Sequence, residues 1–136
     1  MSYRATVLLG LVLAGSARAF DFPIQVTEYV DDVRVVAYID EQDMETETPW
    51  HPFEAAPPLS VEQALKAVAG QIASDEALAG ARLAEIVLRR IPHHESYWHY
   101  MVKLKTDAPT PHHTHYYLVL MSGKVIPALK RPPSIK

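Results

Sequence analysis

The chain has 136 residues, a formal charge of -3 with histidine neutral, and no cysteine. The missing thiols exclude disulfides, thiolate metal sites and a cysteine nucleophile, so a domain of ordinary size has to rely on its apolar core. Charge is split along the chain: residues 20–62 hold eleven acids against Arg34 alone, and residues 63–136 hold ten bases against five acids. The halves should attract each other, and the basic one is too modest to argue for nucleic-acid binding.

At the N-terminus, Arg4 precedes an apolar run from Ala5 to Ala14, and Ala17-Arg18-Ala19 supplies a small-x-small cleavage pattern, which together predict a signal peptide over residues 1–19. The run is much shorter than the roughly 20 residues of a membrane-spanning helix. The mature chain is therefore expected to be periplasmic or secreted, with no stable membrane anchor. IQVTEYV (24–30) and VRVVAYI (33–39), rich in β-branched and aromatic residues, flank Asp31-Asp32 and predict a hairpin. Residues 40–58 combine acids with prolines and lack apolar periodicity, which predicts a long loop. Its DEQDMETE run lacks the glycine and the terminal glutamate of a calcium loop and reads as a solvated acidic segment.

Ser60 then stands as N-cap with Gln63 as its capping-box partner, and Val61, Leu65, Val68 and Ile72 recur on one stripe, so a helix of about four turns follows. Three strand-like runs come next, at 81–91, 96–105 and 115–121, and the last leads through Ser122-Gly123 into a short KVI. RPPSIK reads as a loose end. The expected fold class is α+β: one main helix packed on an antiparallel sheet of about four to five strands, with an N-terminal β-hairpin. One domain should cover 20–127, and a flexible tail 128–136.

The helix SVEQALKAVAGQIA, with Ala64 and Ala67, and the closing turn Ser122-Gly123-Lys124-Val125 resemble the PepSY family of small extracytoplasmic domains over about residues 59–127. The chain has Leu120-Met121 where that family carries an aspartate before the terminal turn. The resemblance implies a helix packed on an antiparallel sheet, a binding or protease-inhibitory role outside the cytoplasm, and no catalytic residues.

Histidine is the residue type that stands out. PHHESYWH (92–99) and PTPHHTHYY (109–117) hold six of the seven imidazoles, and histidine suits zinc, copper or nickel. Pairing 96–105 with 115–121 so that Leu104 opposes Tyr116 separates them into His93, His94 and His99 at one end, near the loop with His51 and Glu54, and His112, His113 and His115 with Asp107 at the other. Such a register leaves Met101, Tyr117, Val119 and Met121 on the face away from the helix, as a partner-binding patch or as surface covered by the chain itself. Ser60 and Ser122 read as cap and turn, and Ser96 lacks a base oriented by an acid, so nothing supports a hydrolase.

Two functions follow as expectations. One is an exported, non-catalytic module that engages a protein or peptide of the cell envelope through a sheet face or edge, with an inhibitory or regulatory effect. The alternative is a periplasmic transition-metal binder that uses a histidine cluster, chiefly His93, His94 and His99. No other cofactor is expected, and the oligomeric state is left open.

Overall fold

A computed structural model describes residues 23–132, so the predicted signal peptide lies outside the described residues. The chain forms β1 (Ile24–Val30), β2 (Val33–Ile39), a short helix α1 (Glu41–Glu45), the main helix α2 (Val61–Ile72), β3 (Arg82–Ile91), β4 (His94–Lys105), β5 (Thr114–Leu120) and β6 (Val125–Arg131). All six strands join one antiparallel sheet in the order β1-β2-β6-β5-β4-β3.

This corrects the α+β expectation. The sheet curls into a half-barrel, and among the described residues 45% lie in strand against 18% in helix, with α2 the one helix of seven or more residues. The curl follows from burial on both sides of the central strands. One face of the sheet closes on itself around Val26, Val35, Ile39, Ile91, Leu118 and Leu120, with Met44 of α1 packed at the margin of this inner core and no residue of α2 in it. The outer face of β4 and β5 carries Tyr100, Val102, Tyr117 and Val119 beneath Ala64 and Val68 of α2. A helix covering one face of a flat sheet would leave the inner set exposed, so curling is what buries it.

Local chemistry sets the element boundaries. Asp31 and Asp32 both take positive φ, 50° and 62°, which aspartate tolerates and a two-residue hairpin turn requires. The Ser60 hydroxyl accepts from Gln63 N–H while the Gln63 side chain accepts from Ser60 N–H, so the predicted capping box closes and starts α2. The Tyr100 hydroxyl donates to the Leu59 carbonyl at 2.6 Å and pins the helix entry to β4. The buried face of α2 centres on Ala64 and Val68, while Val61, expected on the apolar stripe, is exposed. Gly123 turns the chain from β5 to β6 at φ 92°, where a side chain would be strained.

β6 is longer than the expected KVI and takes in residues 128–131 of the predicted tail. Its first half pairs with β5, and Leu129–Arg131 pair with Val36–Arg34 of β2. Proline within an inner strand normally costs a ladder bond. Pro127 is accommodated because β2 pairs begin only two residues later, at Leu129.

Burial pushes the Tyr100 phenol above its ordinary range, and burial followed by the nearby Asp75 carboxylate does the same to Tyr117. A tyrosine raised in the folded state contributes stability that is intact below the unfolded pKa of about 10 and is lost as pH rises through the folded value. Urea midpoints are therefore expected to fall above about pH 10, and Tyr100→Phe/Tyr117→Phe to flatten that fall. An unchanged alkaline slope in the double variant would contradict the assignment.

Candidate functional site

The β4–β5 register decides where the histidines go. Leu104 lies opposite His115, Val102 opposite Tyr117 and His99 opposite Leu120, one residue away from the expected pairing. A slip of one residue exchanges the faces of a strand. Tyr117, Val119 and Met121 consequently lie under α2, Met101 lies in the inner core, and all four are buried. The proposed patch of Met101, Tyr117, Val119 and Met121 is not an exposed surface, because the chain covers it from two sides.

His99 and His115 end up on opposite faces and five residues apart along the hairpin, roughly 16 Å at about 3.3 Å per residue. His93 occupies the β3–β4 turn at φ 63°. His94 Nδ1 sits 3.1 Å from the Pro92 carbonyl, and its ring stands edge-on to Tyr97. His115 Nε2 lies 3.1 Å from the His112 carbonyl, while His113 Nδ1 is buried without a hydrogen-bond partner. Asp107 is held by both terminal nitrogens of Arg82 at 3.1 Å. Among the described residues, no group of three or more His, Asp or Glu side chains is arranged to hold a metal ion.

What sequence reading missed is a polar cluster built on an ion pair inside the half-barrel. Glu28 of β1 reaches across the interior to His99 of β4, with Oε1 at 2.8 Å from Nε2, and to Arg89 of β3, with Oε2 at 3.3 Å from Nε. His99 is fully buried, Glu28 nearly so, and the Arg89 side chain is 41% exposed. The contacts are at ion-pair distance but outside hydrogen-bond alignment, and His99 Nδ1 has no hydrogen-bond partner. A second tie, Lys103 to Asp31, runs from β4 to the β1–β2 turn. Burial and then the neighbouring Lys105 push the Lys103 ammonium below its ordinary range. One signal was legible: Glu28 alternates in phase with Val26 and Val30, an acid on an inner face. His99 has no solvent access, and the cluster ties β1 to β3 and β4.

The acidic segment 40–58 is structured as well. Beyond α1, the buried Glu47 carboxylate accepts from the Met121 and Ser122 amides at 3.1 and 3.2 Å. Lys124 pairs with Asp43 at 2.5 Å. Trp50 N–H donates to the Ser96 carbonyl, and its ring meets Trp98 edge-on at 5.1 Å with Arg90 over the other indole. Of these contacts Asp43–Lys124 joins an acid of the first half to a base of the second, as do Glu28–Arg89 and Asp31–Lys103.

The surface left available is the β3 side of the sheet. β3 is an outer strand of ten residues, so the backbone groups on its far side have no strand partner among the described residues. α2 packs over β5 and β6 and leaves Ile86 and Leu88 half-buried and Leu83 exposed beside that edge. Arg82 is held by Asp107, and Arg89 and Lys103 turn inward to Glu28 and Asp31, so the exposed bases beside the edge are Arg90 and Lys105, against Glu85. Among the described residues, no helix is long and apolar enough to cross a membrane. Compared with family models, curated proteins and solved structures, the chain matches none.

Proposed function

We propose that the protein is an exported, non-catalytic binding module that captures an extended peptide segment by strand addition along β3. The observation that carries this reading is the ten-residue edge of β3, which no strand among the described residues pairs, beside Leu83, Ile86 and Leu88. Backbone hydrogen bonds supply affinity in this mode, and alternate side chains supply selectivity. The exposed Arg90 and Lys105 favour a segment that alternates apolar and acidic residues. The PepSY resemblance implies a role of the same kind, and the N-terminal signal pattern supports export.

A peptide of alternating valine and glutamate is the direct probe. Successive amides of an edge strand point alternately toward and away from its neighbour. Proline at one of the adjacent positions Ile86 and Val87 should therefore disrupt the β3–β4 ladder, while proline at the other preserves the fold and blocks the edge. The fold-preserving variant is expected to lose peptide anisotropy signal. Undiminished binding by that variant, judged folded by circular dichroism, refutes the edge as the site.

A further inference from the structure

Phe53 is fully exposed, at 108% of its reference area, and adopts φ 72°, a conformation that bulky side chains rarely take. The turn bearing it is closed and anchored. Glu54 N–H donates to the His51 carbonyl, Trp50 Nε1 donates to the Ala55 carbonyl at 2.8 Å, and Trp50 is fixed to β4 through Ser96 and Trp98. The segment 40–58 around it holds six acids and no lysine or arginine. A rigid aromatic in an acidic setting has the character of a pre-organised anchor for a partner's pocket.

The opposite end of the molecule has such a pocket. Val33, Pro111 and Pro132 wall an opening of about 470 Å³, with His113, Lys130 and Arg131 at its margin. That volume falls among sites of about 300–1,000 Å³ that take small ligands, so a phenyl ring fits with room to spare. Lys130 ties the rim to the Pro111 carbonyl at 2.5 Å. Asp31 is taken by Lys103, which leaves Asp32 as the acid beside Val33.

We infer that Phe53 of one copy inserts into the Val33–Pro111–Pro132 pocket of a second copy, joining acidic end to basic end. Within one chain the two cannot meet. The turn is fastened at Ser96 and the pocket lies past Thr106, about 30 Å along β4 at about 3.3 Å per residue. The contact is heterologous, so it builds a ring or an open chain and not a closed two-fold dimer. It involves neither the β3 edge nor peptide capture.

Sedimentation of the purified protein over rising concentration tests this, with Phe53→Ala as the knob variant and Thr110→Trp as the pocket-blocking one. Wild type is expected to grow into larger species, and each variant to associate about 30-fold more weakly, as loss of a hot-spot residue does. Mixing the two variants should yield a 1:1 dimer that grows no further, because one retains the pocket and the other the phenyl group. Phe53→Gly should weaken assembly to the same degree as Phe53→Ala while raising the urea midpoint, since glycine adopts the same φ without strain. A wild type that stays monomeric, assembly indifferent to Phe53→Ala, or a mixture without the 1:1 species would overturn the inference. So would a monomer that co-sediments through Phe53 with phosphatidylcholine vesicles, which would assign the residue to a lipid surface.

Discussion

Glu28→Ala is expected to destabilise the protein by about 3 kcal/mol, because removing the buried carboxylate leaves Arg89 without its counter-charge and the enclosed His99 ring without its polar neighbour. His99 is enclosed on all sides and cannot recover water, whereas Arg89 is part-exposed and can turn outward. For that reason the loss should sit at the lower end of the usual range. The double change Glu28→Leu/His99→Leu provides the control, since replacing both groups with apolar side chains is expected to return most of the stability. Urea unfolding of the three proteins measures it. If Glu28→Ala loses less than about 1 kcal/mol, the carboxylate is not the tie between β1 and the β3–β4 pair that the geometry indicates.

A comparable loss, again about 3 kcal/mol, is expected for Leu118→Ala. Leu118 is fully buried on β5, opposite Met101 and Ile126, with the inner core of the curled sheet around it. Truncation there removes apolar contact and leaves a cavity that a sheet bonded on both sides cannot collapse to fill. Leu129→Ala, at a half-exposed site on β6, should cost well under 1 kcal/mol by comparison. Equal effects at the two positions would mean that the inner face does not form the main core.

Much of this architecture was legible in the sequence. The β1 and β2 boundaries follow from seven-residue branched runs around a pair of aspartates, and α2 follows from its capping box. The strand register was not legible, for a definite reason. Tyr100, Met101 and Val102 are buried in succession, as are Tyr116 through Met121, so neither β4 nor β5 alternates apolar with polar. Without alternation, a strand pattern does not distinguish one register from its neighbour. The same two-sided burial was the clue to a curled sheet, and the prominence of α2 concealed it.

The site was less legible than the fold. Histidine density drew attention to positions 93–99 and 112–115, yet the residue that matters most there, His99, is defined by Glu28 on the first strand. Only the closure of the half-barrel brings the two together. The acidic segment likewise reads as loop because its order comes from Glu47 and Trp50 contacting β4 and the β5–β6 turn, none of which is local. The β3 edge depends on strand order, and strand order is a property of the whole sheet.

Residue-resolved amide hydrogen exchange, with and without the valine–glutamate peptide, tests the β3 edge most directly. Alternate amides from Arg82 to Ile91 should exchange fast in the free protein and slow markedly once peptide is added, while those of β5 and β6 stay unchanged. If the peptide binds and protection arises on β1 or nowhere in the sheet, β3 is not where the segment docks.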